Sequence, residues 1–208
     1  MYQLKMAGQF DEPSSELRVD ARRNQKRILL AAARLLADDP AASIQRIADE
    51  AQLARPTVYR RYPTREALID AIAQEAIGEF ATALDEAGAA GEDTASTLGR
   101  LIRALARIGA DYPTVLQSAH AHDTASLVDR VDELIARGQA QGVIRADVTS
   151  DVLRHALFGA LSASLRLARD PSARGLTADE IGAQVAAIIV DGLRSKPAQT
   201  AKPDTYEP

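Results

Sequence analysis

The chain has no cysteine and no tryptophan, and aromatic residues make up only 4% of its 208 residues. Zero cysteine excludes disulfides, thiolate zinc sites and cysteine nucleophiles. It suits a reducing cytoplasm, which is the expected compartment. No apolar run approaches the roughly 18 residues that a membrane span needs. The opening stretch MYQLKMAGQFDEPSSE lacks the apolar segment of a secretion signal. Strand-like alternation does not persist anywhere, and no repeat of solenoid period is visible. No Ser/His/Asp order, Gly-rich phosphate loop or paired catalytic carboxylate stands out, so the chain does not read as an enzyme and no cofactor is expected.

What is present is helical. The composition is 46% hydrophobic, with Ala and Leu dominant, so an all-α fold of about nine helices is expected, with enough apolar surface for a core. Residues 1–16 and 196–208 are rich in Pro, polar and charged residues and read as disordered arms. Between them, residues 17–65 and 66–195 read as two domains.

Charge separates these domains. The formal net charge is −4, yet residues 17–65 hold eleven Lys/Arg against five Asp/Glu, a local balance of +6. The rest of the chain then carries −10. A basic block on an acidic body points to a polyanion partner for the block alone, against the plainer reading of chance clustering on a solvated surface.

Three helices fit inside the basic block. The first runs from about Asp20 to Ala37, with Ile28, Leu29, Ala32, Leu35 and Leu36 as its stripe, and Asp39-Pro40 stops it. Ser43 caps a short second helix that buries Ile44, Ile47, Ala48 and Ala51. After about three residues a third begins, with Pro56 tolerated in its first turn. It ends at Tyr62-Pro63, and Thr64 caps the next helix. This spacing is that of a helix-turn-helix. At about 100° per residue, Val58 and Tyr62 share one face of the third helix. Arg60 and Pro56 point the opposite way, flanked by Thr57, Arg61 and Tyr59. The outer face therefore offers cations, a hydroxyl and a phenol, the donors that phosphate oxygens and base edges accept from. Arg46 reads as a solvated side chain.

The acidic body reads as about six further helices. The last two, about Thr149–Arg169 and Thr177–Arg194, carry large residues every fourth position: Leu153, Leu157, Leu161 and Leu165, then Ile181, Val185, Ile189 and Leu193. Small residues run beside them, including Ala160. Such stripes suit a four-helix interface with a second subunit, the alternative being packing within one chain. His120 and His122 are two apart, which on a helix directs them about 160° from each other; a loop could still bring them together, but a solvated helix end or pocket lining is expected rather than a metal site.

The block resembles the DNA-binding domain of the TetR-type repressor family. The resemblance rests on Ile28-Leu29 with Ala31-Ala32, on Ser43-Ile44 with Ile47-Ala48 and Ala51, and above all on Thr57-Val58-Tyr59 followed by Tyr62-Pro63, Arg65-Glu66 and Leu68. It covers about residues 20–70. It implies a DNA-binding regulator, most simply a ligand-responsive repressor that binds a pseudo-palindromic operator as a homodimer. The alternative is a ligand-independent or architectural DNA-binding dimer. It further implies phosphate contacts from Ser43, Tyr59 and Arg65, base proximity for Arg55, Pro56, Thr57 and Arg60, backbone contact from Arg61, and phosphate contacts from Arg22, Arg23 and Lys26. A small-molecule pocket in the body would be lined by Phe80, Tyr112, Leu116, His120 and Phe158, and the dimer interface by Leu153, Leu157, Ala160, Leu161, Leu165, Ile181, Val185 and Ile189. Two positions depart from the family pattern: Gln52 replaces its usual Gly, and Ala54 its usual Ser or Thr.

Overall fold

The computed structural model describes residues 15–89, 93–113, 124–168 and 175–194. Among them are eight helices: α1 (Ser15–Asp38), α2 (Ile44–Glu50), α3 (Arg55–Arg61), α4 (Arg65–Ala89), α5 (Thr94–Asp111), α6 (Ala125–Ala140), α7 (Ser150–Ala168) and α8 (Ala178–Leu193). The helix expected near residues 114–121 lies outside the described residues. Extended pairing among them is confined to one isolated bridge, Ile144 to Arg194. No helix among them is long and apolar enough to cross a membrane. The chain divides into two compact units, Met1–Leu68 and Ile69–Pro208.

The first unit is small, and its core is correspondingly dense in Ala. On α1, Ile28, Leu29, Ala32, Ala33 and Leu36 are buried, following the 3.6-residue period. The helix begins five residues earlier than the sequence reading placed it, so Ser15 and Glu16 are helical rather than part of a disordered arm. Against α1 packs α2, burying Ile47 and Ala48, and against α2 packs α3, burying Val58. Complete burial of a Val or Leu side chain contributes about 1.5–3 kcal/mol. The alanines let the three helices approach closely.

The turn between α2 and α3 is set by hydrogen bonds. Leu53 N donates to Ala48 O at 2.9 Å and Gln52 N to Asp49 O at 3.0 Å. These two bonds form a Schellman C-cap, whose C′ residue is left-handed and usually Gly. Here that residue is Gln52, with φ of 53°. The same motif closes α6 with Gly142 at φ 70°, through Gly142 N to Gln139 O and Val143 N to Gly138 O. One motif thus occurs twice, once with the residue that adopts it freely and once with one that pays about 1–2 kcal/mol.

In the second unit α5 is central. Its buried face includes Leu98, Leu101, Ile102, Ala106 and Ile108, and it packs most extensively on α8, then α7 and α6. The α5–α8 approach depends on Gly182, where an added Cβ would lie 2.6 Å from Ala106 Cβ. Asp93 caps α5 by accepting from Ala95 N and Ser96 N. Ser96 Oγ also donates to it, which with those amides holds the carboxyl below its ordinary range. Thr177 and Glu180 form a complete capping box at α8. Tyr112 is fully buried, and its hydroxyl donates to Glu79 Oε1 at 2.9 Å.

Candidate nucleic-acid interface

The third helix is positioned from below by Val58, 0% exposed, and Tyr62, 6% exposed. With those two inside, helical geometry turns Pro56, Tyr59 and Arg60 outward, and all three are exposed. Ala54 stands at the N-cap without a side-chain bond. The first turn is therefore held by Thr57 N donating to Ala54 O at 2.9 Å and by the fixed φ of Pro56. Ser43 caps α2 by accepting from Arg46 N at 3.3 Å. Thr64 caps α4 by accepting from Ala67 N at 3.1 Å.

The cations near this helix fall into two groups. Arg22, Arg23 and Arg60 are exposed and make no hydrogen bond or ion pair among the described residues. The others are engaged within the protein. Arg55 stacks 4.9 Å from the Tyr59 ring centroid and donates to the Tyr59 hydroxyl at 3.3 Å. Together they form a rigid cation–aromatic pair on the outer face. Arg61 donates to Gln25 Oε1 and joins α3 to α1. Lys26 is exposed and has a partner of its own. Arg46, read from sequence as solvated, is exposed and pairs with Asp39 at the surface.

Arg65 differs most from its expected role. It is half-buried, and one terminal nitrogen donates to Ala42 O at 3.0 Å and the other to Pro40 O. Both terminal nitrogens serve the loop ahead of α2, so the geometry makes Arg65 a brace for that loop rather than a free phosphate donor. Arg27 was missed from sequence. Its guanidinium donates to Gln52 Oε1 at 3.1 Å and to Gln52 O at 3.4 Å, holding the left-handed residue in place. The only sequence signal for it was the departure at Gln52, which needs outside support to adopt a glycine-like backbone.

Of the residues expected in an effector pocket, the described ones, Phe80, Tyr112 and Phe158, do not line one large cavity. Phe80 and Phe158 line an apolar cavity of about 20 Å³ with Leu98, Leu101, Val131 and Leu157, room for about one water molecule. Tyr112 is core, tied to Glu79; Leu116, His120 and His122 lie outside the described residues. Among those described, no three His, Cys, Asp or Glu side chains are grouped to hold a metal. His155 is exposed, with Nδ1 2.7 Å from Asp151 O on its own helix.

Part of the expected interface stripe turns inward. Leu153, Leu157 and Ile181 are buried at 5%, 8% and 3% exposure, so they face the core of their own chain. Ala160, Val185 and Ile189 are half-buried; the side chains of Leu161 and Leu165 are outside the description. The face of α7 turned to solvent is one position earlier in register: Val152, Ala156, Gly159 and Ala163, reaching Leu167. On α8 the exposed apolar residue is Ile188, at 72%. A four-residue repeat of leucines could not distinguish the two faces, because both carry apolar or small side chains.

Comparison with known proteins places the geometry. Residues 28–72 match the sequence profile of the bacterial regulatory proteins of the tetR family. Among solved structures, a TetR family transcriptional regulator from Thermus thermophilus superposes with a TM-score of 0.62 at 26% identity, over 81% of this chain and 99% of that one. A TetR transcriptional regulator from Streptomyces coelicolor gives 0.60 at 23% identity, over 83% and 99%. The ketosteroid transcriptional regulator of Mycobacterium tuberculosis gives 0.65 at 18% identity, over 83% and 95%. No curated protein matches the chain in sequence.

Proposed function

We infer that this chain, which belongs to the tetR family of bacterial regulatory proteins and is a DNA-binding transcriptional regulator, binds a pseudo-palindromic operator as a homodimer and represses transcription in response to a small molecule. The observation that carries the reading is the outer face of α3. Arg60 projects there without a partner among the described residues, beside the Arg55–Tyr59 stack. An unpaired guanidinium on a helix that fits the major groove can donate two hydrogen bonds to guanine O6 and N7. Tyr59, Ser43, Arg22 and Arg23 would hold the helix in register through phosphates. One such helix reads only a few base pairs, and two-fold pairing doubles the site.

The homodimer is supported by apolar surface that water disfavours. Val152 is 57% exposed, Leu167 45% and Ile188 72%. The small residues Ala156, Gly159 and Ala163 between them would let a second copy approach closely. A second reading, DNA binding without an effector, is favoured by the narrow cavity beside Phe80 and Phe158.

The test is operator binding by purified protein across a salt series. The proposal expects a dimer-sized complex on a two-fold site and an affinity that falls with salt at about −0.9 in log–log slope per phosphate neutralised. A monomeric complex indifferent to sequence would overturn it. Protein carrying a co-purified small molecule whose removal changes operator affinity would decide against the effector-free reading.

A further inference from the structure

We propose that the second unit holds a binding site for amphipathic organic anions in an open cleft along the outer face of α5. Three arginines, Arg100, Arg103 and Arg107, recur on that face at i, i+3 and i+7. They line a cleft of about 630 Å³ together with Glu86, Asp179 and the alanines of α4. Arg100 and Arg103 also line an adjoining cleft of about 420 Å³, which reaches Arg194 and the small residues of α8. Volumes of this size accommodate metabolite-sized ligands.

The charge there runs against its surroundings. Residues 69–208 hold thirteen Lys/Arg and twenty Asp/Glu, and several arginines of this unit sit on acids: Arg130 on Asp85, Arg145 on Asp147, Arg154 on Asp132. Arg103 and Arg107 are exposed and have no such partner among the described residues. Glu86 and Asp179 line the same cleft without pairing to Arg103 or Arg107 among the described residues, so three guanidiniums share it with two carboxylates. Like charges one turn apart on a helix repel each other, and a bound anion would remove that repulsion.

The geometry also defines the ligand. At 1.5 Å rise per residue the three arginines are spread over about 10 Å of helix axis. Arg100 is fixed by donation to Ala87 O at 3.2 Å, which leaves Arg103 and Arg107 free to close on oxyanions. Guanidinium groups pair with planar or tetrahedral oxyanions through two parallel bonds. The alanines that line the larger cleft, Ala83, Ala87 and Ala104, and those of the adjoining one, Ala183 and Ala186, are small and apolar and match a hydrocarbon or aromatic body. The ligand class is therefore a phosphate or carboxylate on an apolar skeleton. Binding there does not require the operator reading to hold.

The test is calorimetric titration of the full chain at low salt with 1-naphthyl phosphate, 1-naphthoate and neutral 1-naphthol. At least one anion is expected to bind with a Kd below about 1 mM, and the Arg103→Gln/Arg107→Gln variant to bind it at least about tenfold more weakly. Arg137→Gln, an exposed arginine outside the cleft, should leave binding unchanged. Whichever anion binds more tightly identifies the head group. Both substitutions of the double variant lie on the surface, and a wild-type circular dichroism spectrum would confirm that it folds. Equal binding by wild type and double variant would overturn the inference. So would naphthol binding as tightly as the anions, or no anion binding at all.

Discussion

Arg65→Met is the substitution that most sharply separates structure from recognition in the first unit. The half-buried guanidinium donates to Ala42 O at 3.0 Å and to Pro40 O. Hydrogen bonds from a charged group contribute about 1.5–3 kcal/mol when well enclosed. Half-exposure lowers this, so the pair together should contribute about 2 kcal/mol. Met keeps the apolar stem and removes only the donors. For a unit of this size each kcal/mol moves the melting midpoint by about 4–8 °C, so the helix-turn-helix should melt about 8–16 °C lower. Its affinity for a selected operator should fall modestly at low temperature, where the unit remains folded. The slope of log affinity against log salt should not change, because no phosphate contact has been removed. Thermal circular dichroism and fluorescence anisotropy across a salt series measure the two quantities. An unchanged melt with a slope reduced by about 0.9 would show that Arg65 neutralises a phosphate, and the brace assignment would be refuted.

Arg60→Ala should cost about 1–3 kcal/mol of operator binding and relax sequence preference at one position in each half-site; Tyr59→Phe should instead weaken all sequences alike, and competition with single-base operator variants distinguishes the two. Gly182→Ala should destabilise the second unit by about 1–3 kcal/mol through the contact with Ala106. Gly78→Ala, whose added Cβ meets nothing within 4 Å, should stabilise the chain by about 0.5–1 kcal/mol; equal effects in urea melts would contradict the packing account. Burial, reinforced by the bond to Glu79, pushes the Tyr112 phenol well above its ordinary value of 10.0. A raised folded value means the unfolded chain loses this proton first, so the contribution is complete below about pH 10 and is lost as pH rises beyond it. Tyr112→Phe should remove that loss, and a wild type and variant with identical stability profiles above pH 10 would count against it.

How much of this was legible in sequence follows from how local each signal is. The helix-turn-helix was readable because its determinants lie close in sequence: caps at Ser43 and Thr64, a proline in the first turn of α3, and Val58 and Tyr62 four apart. Gly142 announced its turn for the same reason. What the arginines of α3 and of the start of α4 reach was not readable, since Arg61 meets Gln25 across 36 residues and Arg65 meets Pro40 and Ala42 across 25 and 23. Which faces of α7 and α8 turn inward was not readable, because large and small apolar residues alternate around both helices, and periodicity alone cannot say which stripe meets the chain's own core. The arginines of α5 were passed over in sequence, as three charges on an amphipathic helix look like an ordinary wet face until the cleft beside them is seen.

The most direct test of the central claim is selection of bound sites from random duplex DNA by the purified protein. The account predicts a pseudo-palindrome whose half-sites lie about one helical turn apart, with a guanine whose preference disappears in Arg60→Ala. Recovery of no motif, with binding that simply vanishes as salt is raised, would reduce the α3 face to a nonspecific basic patch and contradict the account.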